Sequence, residues 1–270
     1  MNTEKTTLWD GGKSPFSVAW GKLYMWIFLL SDAFTFSSLL ISYGVLRHKY
    51  AEVWPKASDV FGHFPFFGEQ HIPLAYVGLM TFILILSSVT MVLAVEASHR
   101  KSKKEILIWL SLTIVGGFFF IGSQAWEWTH FIIGSEEGAI HLTKTPDNKF
   151  NGMIAHWANP EKTAILLPDG SPLTPQQSAP YIANAEEVTG ANLEVNEYGP
   201  PMFGDYFFGV TGFHGFHVFS GIVINIIVLI LVWNGAFNKK GNYGIIENIG
   251  LYWHFVDLVW VFVFTCFYLV

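Results

Sequence analysis

The chain has 270 residues, of which 51% are hydrophobic, 17% aromatic and only 13% charged. Soluble domains carry about 25% charged residues, so this composition excludes an ordinary soluble globular protein and indicates an integral membrane protein. The formal net charge of −6 argues against a nucleic-acid-binding protein. Because Cys266 is the only cysteine, neither a disulfide framework nor a cysteine-based metal site can form within the chain.

Five apolar stretches are long enough to cross a bilayer as helices, since a span needs about 20 residues. In chain order the predicted spans cover residues 22–46, 72–96, 106–133, 206–234 and 248–270. The sequence therefore predicts an all-α integral membrane protein, a single transmembrane domain (1–270) built as a bundle of five transmembrane helices.

A long segment, residues 134–205, separates the third and fourth predicted spans and differs from them in composition. It contains eight prolines and ten carboxylates but only three lysines. Its central part reads NPEKTAILLPDGSPLTPQQSAPYI (159–182), and prolines at this density favour turns and extended chain over a membrane-spanning helix. We expect a loosely folded extramembrane loop insertion and no sixth span.

Basic residues predict the orientation, because cytoplasmic segments of membrane proteins are enriched in lysine and arginine. The predicted outer segments, 47–71 and 134–205, contain six such residues. The shorter segments 1–22, 97–105 and 235–247 contain nine: Lys5, Lys13, Lys22, Arg100, Lys101, Lys103, Lys104, Lys239 and Lys240. We therefore expect a cytoplasmic N-terminus, with the C-terminus and the acidic loop 134–205 on the outer, periplasmic side.

Polar side chains inside the predicted spans are the candidate functional residues, because such groups are costly in hydrocarbon and usually serve a purpose there. The first span contains Asp32. The others recur three residues apart, and side chains at that spacing share one helical face. They are Gln124, Glu127 and His130 in the third span, His214 and His217 in the fourth, and His254 and Asp257 in the fifth.

The residues alone leave three uses of these side chains open. Axial haem ligation would need His214 and His254 at one depth, but a rise of about 1.5 Å per residue places them in different halves of a ~30 Å core. The pair His214 and His217, with no third ligand nearby, is a weak signal for a metal site. A proton path is the second use, with Asp32 as its intramembrane carboxylate.

The third use is interhelical hydrogen bonding, or the lining of a cleft for lipid headgroups, and this use ranks first on physical grounds. Helices in lipid gain little from burying apolar surface against each other, so small residues and polar contacts hold bundles together. Glycines that permit close approach surround the polar residues of the third and fourth spans: Gly116, Gly117, Gly122, Gly212, Gly215 and Gly221. A transporter is disfavoured because the sequence shows no inverted repeat.

Four sequence stretches together resemble one known family. FGDYFFGVTGFHGFHVFSG (203–221) and LYWHFVDLVWVFVF (251–264) are similar to the TGFHG-x-HV and YWHFVD-x-VW patterns of subunit III of the haem–copper terminal oxidases. GSQAWEW (122–128) resembles that family's Gln-x-x-Glu-aromatic segment. LLSDAFTFSSLL (29–40) resembles its Ser-Glu-x-x-Phe-Phe segment, with Asp32 where a glutamate is usual. Five spans match the short bacterial form of this family.

The resemblance implies a non-catalytic subunit of a proton-pumping cytochrome c oxidase in the bacterial inner (cytoplasmic) membrane, serving aerobic respiration. It implies that haem and copper lie in the partner subunits I and II, and that this chain binds neither. It also implies that Asp32 faces a phospholipid cleft and that the subunit stabilises subunit I and supports proton uptake. The remaining polar residues would form an inward structural network: Gln124, Glu127, His130, His214, His217, His254 and Asp257.

The electron donor and the loop 134–205 are less constrained by the resemblance. We expect cytochrome c as the donor, with a quinol oxidase subunit III, or a membrane b-type cytochrome, as the alternatives. The loop is longer than is usual in the family, and its ten carboxylates predict a docking surface for another respiratory subunit or for cytochrome c. The other interpretation is a lineage-specific loop without a partner of its own.

Overall fold

Seven helices and four short strands make up the structure, a computed structural model that describes residues 20–61, 74–191, 194–235 and 244–269. The helices are α1 (Trp20–Lys49), α2 (Ala57–Val60), α3 (Ala75–His99), α4 (Lys103–Ile133), α5 (Pro175–Ile182), α6 (Pro201–Trp233) and α7 (Gly244–Phe264). A π-helical turn, Thr265–Leu269, extends α7. The strands are β1 (Ala139–Leu142), β2 (Met153–Trp157), β3 (Ile165–Leu166) and β4 (Ala185–Val188).

Five of the helices, α1, α3, α4, α6 and the extended α7, are long and apolar enough to cross a membrane. The predicted all-α bundle of five transmembrane helices, with a long extramembrane segment between the third and fourth, is therefore confirmed. Four of the lysines that predict the orientation lie outside the described residues: Lys5, Lys13, Lys239 and Lys240.

Close helix packing centres on the indole of Trp253 in α7. A Cβ atom on Gly117 of α4 would lie 2.8 Å from this ring, and one on Gly221 of α6 would lie 2.9 Å from it. Glycine at both positions therefore lets α4 and α6 close on the same tryptophan. Gly122 and Gly215 do not have this role, because an added Cβ at either would meet no atom within 4 Å.

Helix α1 is the most peripheral of the five, with only Leu29, Asp32, Phe36 and Tyr43 buried along its length. Polar contacts join it to the bundle near both of its ends. Lys22 forms an ion pair with Glu247 at the start of α7. Near the other end, the hydroxyl oxygens of Ser42 and Tyr206 are 2.6 Å apart.

The segment between α4 and α6 is more ordered than the sequence suggested. Its strands form an antiparallel sheet in the order β3-β2-β1-β4, with Ile140 opposite Ala155 and Glu187. One face of the sheet has its own apolar core, made of Ile140, Leu142, Phe150, Ala155, Ile165 and Leu167. The expectation of a loosely folded loop is thus wrong: alternating apolar residues in β1 and β2 bury one face, and α5 packs against it.

We call residues 134–199 the sheet module, and the end of the bundle that carries it the sheet end. The backbone N–H of Ala191 donates to the carbonyl oxygen of Phe131 in α4 (3.1 Å), and Glu197 holds the two ends of the module together by accepting from the backbone N–H of Ser135 (2.8 Å) and of Gly190 (2.5 Å). Gly190 has φ +70°, and a Cβ there would lie 1.9 Å from the carbonyl oxygen of Ile132. This junction therefore requires glycine for both backbone conformation and space.

Candidate functional site

Asp32 and His217 meet between α1 and α6. Both side chains are buried, and His217 Nε2 lies 3.2 Å from Asp32 Oδ2. The His217 ring also contacts the edge of Phe36, with ring centroids 5.5 Å apart. The spacing of the polar residues within each span did not reveal this pair, because its members come from the first and fourth spans.

The second ring nitrogen of His217 limits the protonation states of the pair. Its Nδ1 lies 2.7 Å from the carbonyl oxygen of Phe213, and a carbonyl only accepts, so Nδ1 carries a hydrogen. With Nδ1 protonated, the pair is neutral if it holds one further proton, either on Asp32 beside a neutral imidazole or on Nε2 as an imidazolium beside a carboxylate. Both states are neutral overall, which is the arrangement that burial in hydrocarbon favours.

His214, one turn before His217, turns toward the centre of the bundle. It is buried, and neither ring nitrogen has a hydrogen-bond partner among the described residues. Its neighbours are aromatic: Trp260 at 5.2 Å and Phe120 at 5.7 Å between ring centroids. The structure thus gives this histidine ring contacts instead of the polar partners expected of a hydrogen-bonding network.

Glu127 is a fully enclosed carboxyl group on α4. Its Oε2 accepts hydrogen bonds from Gln124 Nε2 and from the Tyr268 hydroxyl, both at 2.8 Å. His130, on the same helix, donates from Nδ1 to the carbonyl oxygen of Trp126 at 3.0 Å. Gln124 was predicted to share a face with Glu127, whereas Tyr268, in the π-helical turn at the chain's end, was not foreseen.

His254 and Asp257 lie on one side of α7, toward α3. The His254 Nδ1 atom is 2.6 Å from the Ser88 hydroxyl oxygen, which joins α7 to α3. Asp257 is buried, and its carboxyl oxygens have no hydrogen-bond partner in the described part of the chain. The interhelical hydrogen bonding considered for the polar residues is therefore present at His254.

Asn225 in α6 is a buried polar residue that the sequence-based argument missed. It is completely enclosed, and neither its amide nitrogen nor its oxygen has a hydrogen-bond partner among residues 20–61, 74–191, 194–235 and 244–269. A lone asparagine in the apolar run IVINIIVLILVW was the available signal.

The arrangement as a whole supplies interhelical contacts and exchangeable protons. Within the described ranges no group of three or more histidine, cysteine, aspartate or glutamate side chains could hold a metal ion. Polar groups from different spans meet in pairs: Asp32 with His217, Ser88 with His254, and Glu127 with Tyr268. Such pairs fix helices against each other inside a membrane.

Comparison with known proteins finds similarity to subunits III of terminal oxidases. The family model for cytochrome c oxidase subunit III matches residues 183–270. The cytochrome bo(3) ubiquinol oxidase subunit 3 of Pseudomonas aeruginosa is 25% identical over 244 residues, covering 90% of this chain and 82% of that protein. A probable quinol oxidase subunit 3 of Staphylococcus saprophyticus is 26% identical over 92% of this chain and 88% of its own length.

A relative whose name specifies cytochrome c instead of quinol is similar to the same extent. The cytochrome c oxidase subunit 3 of Alkalihalophilus pseudofirmus is 25% identical over 251 residues, covering 92% of this chain and 85% of that protein. The matched family model includes α6 and α7, which carry His214, His217, His254 and Asp257. With its five helices long and apolar enough to span a membrane, this chain is similar over about nine-tenths of its length to subunit III of the haem–copper terminal oxidases.

Proposed function

We propose that the chain is the non-catalytic subunit III of a proton-pumping terminal oxidase in the bacterial inner membrane, where it stabilises subunit I. Haem and copper would lie in the partner subunits I and II, which carry out oxygen reduction. The observation that most supports this role is that the polar pairs inside the bundle join the chain's own helices, as in Asp32 with His217. Side chains that hold the chain's own helices together are suited to a structural subunit, which stabilises the subunit where oxygen is reduced.

Asp32 is the residue we propose for the lipid cleft and for support of proton uptake. It sits on the least buried of the five membrane-spanning helices, and the exposed side of α1 would be free to contact lipid. The proton shared with His217 can move between the two groups without a change in net charge. Phospholipid beside α1 and a proton held at this pair are both consistent with a role in sustaining turnover.

For the electron donor we propose cytochrome c, because the acidic sheet module would attract a basic soluble protein on the outer side of the membrane. A cleft of about 700 Å³ lies between the module and the segment that follows α1. Its described lining includes the carboxylates of Glu52, Asp169 and Glu194 against the single lysine Lys56, so it too suits a basic partner.

Quinol is the second candidate donor, and it is favoured by relatives whose names specify ubiquinol or quinol oxidase. The experiment that separates the donors is steady-state oxygen consumption by the purified oxidase containing this chain. Reduced cytochrome c is expected to sustain rapid turnover, whereas a ubiquinol or menaquinol analogue is expected to be poorly oxidised. Rapid turnover with a quinol alone would contradict the proposal for the donor and leave the family assignment intact.

The orientation is part of the same proposal. We place the sheet module and the C-terminus on the periplasmic side and the N-terminus in the cytoplasm. Glu136 and Glu137 are exposed at the base of the module and would face the outer aqueous phase. A cysteine introduced at Glu137 should react with a membrane-impermeant maleimide in right-side-out spheroplasts, and protection there with labelling in inverted vesicles would reverse the orientation.

A further inference from the structure

The two oxygens of the Glu127 carboxyl group have different surroundings. Oε2 accepts both of the hydrogen bonds made to this residue, from Gln124 and from Tyr268. Oε1 is buried and has no hydrogen-bond partner in the part of the chain that the structure describes. A buried oxygen without a partner normally indicates an ordered water molecule or a neighbouring polar group.

A small cavity lies directly beside this carboxyl group. Its volume is about 20 Å³, and its lining includes Glu127 and His130 of α4, Val77 of α3, and Tyr198 of the sheet module. A water molecule needs a cavity volume of roughly 10–15 Å³, so this cavity can hold one. Tyr198 is only partly buried, so the cavity lies close to the aqueous phase at the sheet end.

The hydrogen bonds also determine where a proton on Glu127 must be. No lysine or arginine is among the described residues that line the cavity, and an unpaired carboxylate is costly to bury. The neutral acid avoids that cost. Because Oε2 already accepts two donors, the acid's hydrogen belongs on Oε1, the oxygen without a partner.

We propose that this cavity binds one water molecule, which accepts the Oε1 hydrogen of a protonated Glu127 and exchanges it with the aqueous phase at the sheet end. In the exchange the Oε1–H bond breaks as the water takes that proton, and the same water returns a proton to Oε1. In heavy water, one protonated Glu127 carboxyl group and one D₂O molecule give one deuterated carboxyl group and one HDO molecule, with no change in charge. This inference does not depend on the proposed donor.

Infrared difference spectroscopy of the purified protein, with the subunits that accompany it, tests the proposal. The Glu127→Gln variant should lack one carbonyl-stretching band of a protonated carboxylic acid, which assigns that band to Glu127. In the unaltered protein, transfer to D₂O should shift the same band to lower frequency. If no such band is lost in the variant, Glu127 is ionised and the proposal is wrong.

A second pair of variants tests whether the cavity is the route. Val77→Leu adds a methylene group to the cavity wall and should displace the water, so that the band remains but its shift in D₂O becomes several-fold slower. Val228→Leu makes the same change at a buried valine far along α6 and should leave the exchange rate unchanged. Equal exchange rates in the two variants, or a band that never shifts, would overturn the proposal.

Discussion

His217 approaches Asp32 to 3.2 Å across the boundary between α6 and the peripheral helix α1, and both side chains are buried. This contact lies between two other polar contacts of α1, the ion pair of Lys22 near one end and the hydrogen bond of Ser42 near the other. Since apolar burial contributes little to helix association in lipid, these three contacts link α1 to the bundle, together with the hydrogen bond from Arg47 Nη1 to the Cys266 carbonyl oxygen (3.4 Å).

Two substitutions at Asp32 separate the structural role of this pair from its proton. Asp32→Ala removes the contact and should leave initial oxidase turnover nearly unchanged while shortening the active lifetime and loosening bound phospholipid. Asp32→Asn keeps the size and can donate an amide hydrogen to His217 Nε2, so it should retain the wild-type lifetime. Oxygen consumption followed to inactivation, with phospholipid quantified per complex, measures both effects.

The asparagine variant is therefore the matched control for the alanine variant. If Asp32→Asn inactivates as fast as Asp32→Ala, the ionisable proton is needed and a purely structural role is ruled out. An immediate loss of turnover in Asp32→Ala, with lipid content and assembly normal, would contradict the supporting role proposed for this residue.

The aromatic surroundings of His214 predict an unusual tolerance at that position. His214→Phe preserves most of the ring volume and removes two nitrogens without partners, so stability should stay within about 1 kcal/mol of the wild type or increase. His214→Ala leaves a cavity beside Trp260 and should cost about 2–4 kcal/mol, the range for large-to-small core substitutions. Thermal unfolding of the purified protein in detergent measures both, and a severe loss in His214→Phe would reveal an essential polar partner.

The junction between α4 and the sheet module predicts a strong effect of one small substitution. Gly190→Ala places a methyl group 1.9 Å from the Ile132 carbonyl oxygen at φ +70°, so it should detach the module. Limited proteolysis should then cleave within the module while the membrane-spanning helices remain intact. Gly152→Ala is the control, because Gly152 also has positive φ but a Cβ there meets no atom within 4 Å. Equal protease resistance in the two variants would contradict this account of the junction.

Tyr198 gives a pH-dependent prediction outside the membrane-spanning helices. Burial, with the neighbouring Glu197 carboxylate, raises the pKa of the Tyr198 phenol above its ordinary value of about 10. The folded state therefore favours the neutral phenol. Its contribution to stability is complete below pH ~10 and is lost as the pH rises further, because the unfolded chain releases this proton first.

The difference in melting temperature between the wild type and Tyr198→Phe isolates this effect from the other tyrosines. The difference should be constant from neutral pH to about pH 10, and above that the wild type should lose stability relative to the variant. A difference that does not change with pH would show that the Tyr198 hydroxyl ionises equally well in the folded and unfolded states.

The acidic surface of the sheet module predicts a kinetic effect if cytochrome c is the donor. Changing the exposed residues Glu136, Glu137 and Glu186 to glutamine should raise the KM for reduced cytochrome c and weaken its dependence on ionic strength, with kcat unchanged. Neutralising the exposed Glu96 and the half-buried Glu105, both at the opposite end of the bundle, is the control. If both sets of variants behave like the wild type, the module is not the docking surface for the donor.

The bundle was predictable from sequence because each span is a long apolar run, which length and hydropathy suffice to identify. The contacts between spans were not predictable from sequence. The helical period of 3.6 residues indicates which side chains share a face, but it does not indicate which helix packs against that face. Asp32 was recognised as a buried carboxylate, but its partner His217 lies 185 positions further along the chain.

The sheet module was not predicted from sequence for a different reason. Its prolines and carboxylates suggested open chain, yet alternate residues of β1, Ile140 and Leu142, are buried on one face of the sheet together with Ala155 of β2. The strands are only two to five residues long, so this alternation is weak evidence before the pairing is known. The apolar core brings together residues of β1, β2 and β3, which are separate in the sequence.

The central claim, that this chain is subunit III of a haem–copper terminal oxidase, is tested most directly by what purifies with it. The chain should be tagged at its C-terminus, extracted from membranes in a mild detergent and isolated, and the product analysed for subunits, haem and copper. The account predicts that a larger subunit carrying haem and copper co-purifies, and that the haem spectrum stays with that subunit when this chain is separated from it. Recovery of the chain alone, or a haem spectrum that stays with the isolated chain, would contradict the account.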